Sequence, residues 1–410
     1  MEEITNIKIS ELCSKVCSGG TPKSSVPSYY DGNIPWLNTK EINFNRIYST
    51  EKSITEDGLN NSSAKWIDKN AVIVAMYGAT AGKTAISKIP LTTNQACCNL
   101  MIDADKADYR FVYYALVSEY NQLASLANGG AQQNLNAQQI KDFEIPFFSL
   151  KDQKRIANIL STLDDKIELN RRINDNLEQQ AQALFKSWFV DFEPFNGEKP
   201  SNWSYCKIKN LHHIIETGKR PKGGVAHIKQ GIPSIGAESI KGIGYYDYSK
   251  TKYISNEFAS SLKKGKIHDY DLLIYKDGGK PGYFIPNFSI MGEGFPFDTM
   301  YLNEHVFRLD LGSSGMNIFA YFYFQTDEII NMLESVGGKA AIPGINQQNI
   351  EDLEILSPDI DYVQRYGELV YPIFKSILQN CRENAKLEKI RDALLPRLMS
   401  GELKIYDLNC

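Results

Sequence analysis

The chain is written twice, and this constrains its fold more than any other feature. Gly19-Gly20-Thr21-Pro22-Lys23 returns as Gly218-Lys219-Arg220-Pro221-Lys222. Asn33-Ile34-Pro35-Trp36-Leu37-Asn38 returns as Gly231-Ile232-Pro233-Ser234-Ile235-Gly236. A hydrophobic strand entering a glycine turn recurs at 71–78 and 271–278. The clearest echo sets Gly129-Gly130-Ala131-Gln132-Gln133-Asn134-Leu135-Asn136-Ala137-Gln138-Gln139-Ile140 against 337–350, which ends Gly344-Ile345-Asn346-Gln347-Gln348-Asn349-Ile350. Short strands closing in proline follow each, at 143–146 and 353–358. A spacing of about 200 to 211 residues marks a duplicated module and not a solenoid.

Each copy ends in a long helical segment. In the first, Ile156, Leu160, Leu163, Ile167, Asn170, Asn174, Leu177, Ala181, Leu184 and Trp188 alternate steps of four and three, which is coiled-coil spacing. Adding 210 reaches Tyr366, Val370, Ile373, Ile377, Asn380, Asn384, Leu387, Arg391, Leu394 and Leu398, so both central asparagines repeat. Matched segments favour mutual pairing. Run antiparallel, positions summing to 554 face each other and place Asn170 near Asn384 and Asn174 near Asn380. Buried Asn pairs fix register, because a slipped pairing leaves amides against Leu or Ile. About 40 residues of helix reach about 60 Å, so the pair is a rigid spacer between globular domains. Pro372 and Arg391 depart from the first copy, and Pro372 is expected to kink the second helix or mark a late start.

Composition narrows the function. Of 410 residues, 42% are hydrophobic and 23% charged, as in a globular protein. No apolar run nears the length of a membrane span, and Met1-Glu2-Glu3 lacks the basic start of a signal peptide, so a cytoplasmic protein with no membrane partner is expected. Seven cysteines (Cys13, Cys17, Cys97, Cys98, Cys206, Cys381, Cys410) form no C-x-x-C pair and read as reduced thiols. The net charge of −4 argues against nucleic-acid binding, but the distribution is uneven. Residues 199–280 hold fourteen Lys and one Arg against seven acids, and residues 281–357 one Lys and one Arg against ten. These blocks either present a basic face or interleave in space and cancel.

Catalytic motifs are missing. Gly78-Ala79-Thr80-Ala81-Gly82-Lys83-Thr84 resembles a phosphate-binding loop but is one residue short between its glycines, and Gly278-Gly279-Lys280-Pro281-Gly282 lacks the Lys-Ser/Thr ending. His212, His213, His227, His268 and His305 show no metal-ligand spacing. No G-x-S-x-G elbow or adenine-methyltransferase tetrapeptide occurs. No catalytic residue, metal site or cofactor of its own is expected. The chain offers instead lysine- and amide-rich loops flanked by aromatics. Candidate DNA contacts are Lys23, Lys40, Tyr77, Lys83, Thr84, Gln132, Gln133, Asn134, Lys219, Arg220, Lys222, Lys276, Lys280 and Lys339. Glycine lets backbone approach a phosphate, Lys supplies charge, and Gln or Asn bonds the N6/N7 edge of adenine. For each amide, capping of a turn is the competing role.

The tract from Asp152-Gln153-Lys154-Arg155-Ile156 through Asn170-Arg171-Arg172-Ile173-Asn174 to Ala183-Leu184-Phe185-Lys186-Ser187-Trp188-Phe189 resembles the central conserved region of specificity subunits of type I restriction-modification systems. Leu394-Leu395-Pro396-Arg397-Leu398-Met399-Ser400-Gly401-Glu402-Leu403 is similar to their distal conserved region. With the duplication, the resemblance covers essentially the whole chain. It implies an α+β architecture in which two similar globular target-recognition domains, 1–150 and 196–357, are separated by two long antiparallel coiled-coil helices, 151–195 and 358–410, about a pseudo-two-fold. It implies bipartite double-stranded DNA as ligand. The implied partners are two methyltransferase subunits, which bind S-adenosylmethionine, and restriction subunits using ATP and Mg. Base-contacting residues do not carry over, because the recognition domains are the variable part. A non-catalytic coiled-coil scaffold and an RNA-binding adaptor remain the alternatives.

Overall fold

A computed structural model describes residues 5–127, 134–278, 282–338 and 342–403. By internal contacts the chain divides into two compact units, residues 1–165 with 387–410, and residues 166–386. The architecture is α+β. Each unit takes sheets from its own copy of the repeat, together with the start of one long helix and the end of the other.

In the first unit a five-stranded sheet runs in the order Cys13–Ser18, Cys97–Ile102, Val72–Ala75, Thr84–Ser87 and Asn45–Ile47. The burial of all four residues of Val72–Ala75 explains its unbroken hydrophobic run, since a strand covered on both faces has no polar side to alternate. A second sheet orders Lys52–Ile54, Tyr30–Leu37, Leu91–Thr93 and Trp66–Ile67. The second unit repeats this plan. One sheet orders Ile214–Thr217, Val306–Asp310, Leu272–Tyr275 and Phe288–Ile290, and the other Lys252–Ile254, Ile232–Ile235 and Tyr301–Leu302. In both units the terminal strands of the copy close on each other: Thr5–Lys8 pairs antiparallel with Glu144–Phe147, and Ser204–Lys207 with Glu354–Ser357. A buried aromatic helix covers each main sheet, Tyr109–Ser118 in one and Ser314–Tyr323 in the other.

The long helices are Leu150–Phe189 and Ile360–Met399, of 40 residues each. Ser149 opens the first, its hydroxyl accepting from Asp152 N at 3.2 Å. All twenty heptad positions are buried or half-buried. Within the second unit, Asn170 Nδ2 donates to Asn384 Oδ1 at 2.9 Å and to Glu383 Oε2 at 2.7 Å. Asn380 Nδ2 donates to Asn174 Oδ1 at 2.8 Å. The expectation of a late start at Pro372 is corrected: Ile360–Met399 is one helix that runs through that position. Pro372 and Glu368, whose carbonyl loses the ring nitrogen as a donor, both lie on the exposed face of the helix, where the missing bond costs less than it would in the core.

Arg391 interrupts the apolar seam with a purpose visible in the first unit. Its guanidinium meets Asp164 Oδ1 at 2.8 Å, and Tyr114 Oη donates to Asp164 Oδ2 at 2.5 Å. The matching position of the second unit, 210 residues on from Asp164, is Phe374, fully buried in the same core cluster as Ala181. Asp164→Ala is expected to strip acceptors from both Arg391 and Tyr114. Removing one partner of a fully buried ion pair costs 3–5 kcal/mol; here the side chains are 17% and 28% exposed, so about 2 kcal/mol is expected from the shift in urea-unfolding midpoint.

Candidate nucleic-acid interface

Each unit assembles the same local device from two segments distant in sequence. In the first unit, strand Val72–Ala75 runs out through Met76 and Tyr77 into Gly78, and Leu135 N donates to Met76 O at 2.7 Å while Tyr77 bridges to Asn134. In the second, Leu272–Tyr275 runs through Lys276 and Asp277 into Gly278. There Ile345 N donates to Lys276 O at 2.8 Å, Asp277 bridges to Gly344, and Gly278 N donates to Pro343 O at 3.0 Å. Gly78 has φ +72° and open space where a Cβ would stand, so its turn is sterically free for close approach of another backbone.

The amides divide by role. Asn136 opens the helix Ala137–Asp142 in a capping box with Gln139, and Asn346 opens Gln347–Glu351 in one with Asn349. Those four are occupied in structure. Asn134, two residues before Asn136, is exposed. Gln132, Gln133, Lys280 and Lys339 lie outside the described residues.

The cations also divide. Lys23, Lys219 and Lys222 are exposed. Lys40 is exposed but meets Glu51 Oε2 at 2.6 Å, and that hydrogen bond and charge raise the pKa of its ammonium group. Lys83 Nζ donates to Asn43 Oδ1 at 2.7 Å and sits 5.9 Å from the Phe44 ring centre. Thr84 is corrected as a contact: it is 0% exposed in strand Thr84–Ser87, paired to Val74. The same strand disposes of the phosphate-loop likeness, since that motif runs into a helix whose amino terminus holds the phosphates.

Sequence reasoning passed over the charge cluster beside Gly278. Lys276 Nζ donates to Glu304 O at 2.9 Å and stands 3.6 Å from Asp277 Oδ2. His305 contacts Asp277 through Nδ1 and lies 3.4 Å from Glu304 through Nε2, while Arg220 reaches Glu304 at 3.7 Å. Deeper in the unit, Arg308 meets Asp271 at 2.7 Å and Glu216 at 3.2 Å. Basic and acidic stretches therefore partly cancel in space. The only hint in the sequence is their equal and opposite charge.

Among the described residues, no group of three or more His, Cys, Asp or Glu is placed to hold a metal, and no helix is long and apolar enough to cross a membrane. Burial pushes the Cys13 thiol up to about 11 and the Cys98 thiol up to about 12, so neither supplies a thiolate at neutral pH.

Residues 1–179 match the family model described as the type I restriction modification DNA specificity domain. The chain is similar to the type I restriction enzyme MjaIX specificity subunit of Methanocaldococcus jannaschii, 29% identical over 98% of this chain and 94% of that protein. It is 23% identical to the HindI specificity subunit of Haemophilus influenzae, over 90% of this chain and 94% of the relative. Its fold resembles the crystal structure of a type I restriction-modification S subunit from M. genitalium, with TM-score 0.62, 18% identity and 97% of each chain covered.

Proposed function

We propose that the chain is a member of the family of type I restriction-modification specificity subunits, and from that premise that it reads a bipartite duplex DNA target, one half-site per copy of the repeat. It is a non-catalytic recognition subunit that directs other subunits of a complex. The finer assignments are ours: reading domains at 1–150 and 196–357, conserved helices at 151–195 and 358–410, two methyltransferase subunits with S-adenosylmethionine, restriction subunits with ATP and Mg, and a cytoplasmic setting. Asn170, Asn174, Asn380 and Asn384 set helix register in this reading, since a slipped pairing would bury their amides unpaired.

The observation that carries the reading is the device built twice, a glycine turn at a strand end clasped to the segment before a capping box. A module repeated with the same geometry and different side chains suits two half-sites of different sequence. The test is to purify the chain with its methyltransferase and map methylated adenines in treated DNA. Methylation confined to a two-part sequence supports the reading, whereas methylation indifferent to sequence overturns it.

Charge removal separates positioning from reading. Lys219→Ala and Lys222→Ala are each expected to weaken binding to all duplexes alike and to reduce the salt slope by about one. Lys40→Ala is expected to change it less, because Glu51 already neutralises that ammonium. Fluorescence anisotropy across a salt series measures both, and an unchanged slope for Lys219→Ala and Lys222→Ala removes these residues from the interface.

A further inference from the structure

The two copies share a register that reaches into the reading loops. Ile345 N bonds Lys276 O as Leu135 N bonds Met76 O, and Asn346 opens a capping box as Asn136 does. Counted back from that shared register, the positions held by Gln132 and Gln133 in the first copy are Ile342 and Pro343 in the second. An amide both donates and accepts at a base edge, and isoleucine does neither.

Ile342 is nonetheless 74% exposed, more than any other large apolar side chain among the described residues. Gly278 N donates to Pro343 O at 3.0 Å and Gly344 N to Gly337 O at 3.0 Å, so backbone bonds hold the residues that follow Ile342 to the glycine turn and to the end of helix Asp327–Gly337. Beyond that turn, exposed Tyr283 and Ile285 flank buried Phe284, which stacks on Tyr275 with ring centres 5.5 Å apart. Arg220 and Lys276 both bind Glu304, which brings the basic segment 219–222 to the same loop. Arg220 is paired there, but exposed Lys219 and Lys222 leave that segment basic, and an apolar tip beside it suits a polyanion better than a protein surface.

We propose that Ile342 is a specificity-determining residue that contacts the C5 methyl group of a thymine in the half-site read by the second copy. The inference rests on the DNA-reading function proposed above. The thymine methyl is the apolar group that base edges present in the major groove, and an isoleucine selects for it by contact alone. The first copy has Gln132, Gln133 and Asn134 at the matching stretch of sequence, side chains whose chemistry suits reading by hydrogen bonds instead.

The test uses the full chain with its methyltransferase. After methylation mapping defines the target, each thymine of both half-sites is replaced singly by deoxyuridine, which removes only that methyl, and dissociation constants are measured at one salt concentration. One replacement in one half-site is expected to weaken the unaltered complex about fourfold, the equivalent of about 0.8 kcal/mol for a methyl-sized group. Ile342→Ala is expected to weaken the thymine duplex and to be indifferent to that same replacement, with Ile342→Val intermediate. The proposal is overturned if deoxyuridine effects are equal in unaltered and Ile342→Ala proteins while specific binding persists, which leaves the reading function standing. It is overturned in favour of a protein contact if Ile342→Ala loosens the methyltransferase and spares DNA affinity. Absence of any sequence-specific binding by the unaltered complex overturns the reading function and the inference together. Unchanged thermal midpoints for both variants, at a residue this exposed, exclude misfolding as the cause of a loss.

Discussion

Replacing residues 1–150 by the corresponding region of a relative with a different target is expected to change one half of the recognised sequence and leave the other untouched. The cut at 150 carries strands Thr5–Lys8 and Glu144–Phe147 together, so the sheet that closes the first copy travels intact. The donor region must also meet Asp164 and Asp165 at the start of the helix as Tyr114 and Arg46 do. Each mismatched base pair costs about 1–3 kcal/mol. A half-site changed at three positions should therefore lose about 3–9 kcal/mol on the original target, read as disappearance of methylation from it. A simultaneous change in both half-sites would contradict one reader per copy.

Phe374→Ala is expected to cost about 3–5 kcal/mol, more than Asp164→Ala at the matching position of the other copy. Phe374 is 0% exposed and lies edge-on to Tyr321 and Phe322, with ring centres 5.9 and 5.8 Å away. Close packing leaves those neighbours little room to collapse into the space vacated. Chemical unfolding measures the loss. A cost near 1 kcal/mol would mean that the aromatic cluster re-forms around the smaller side chain.

The duplication, the two helices and the pairing of Asn170 with Asn384 follow from the sequence, because periodicity and repetition are properties of the chain read along itself. A heptad seam states which face is buried, and two matched seams state their partner. The candidate contacts were less legible. That Thr84 is interior and Lys83 tied to Asn43 depends on where strands from elsewhere lie, as does the meeting of Arg220 with Glu304, 84 residues away. Local composition carries no record of such neighbours, since burial and ion pairing are decided by the sum of distant contacts. Pro372 shows the same limit from the other side. Its intrinsic tendency to break a helix is real, but Pro372 lies on the exposed face while Tyr366, Val370 and Phe374 are buried on the core face, so the helix continues.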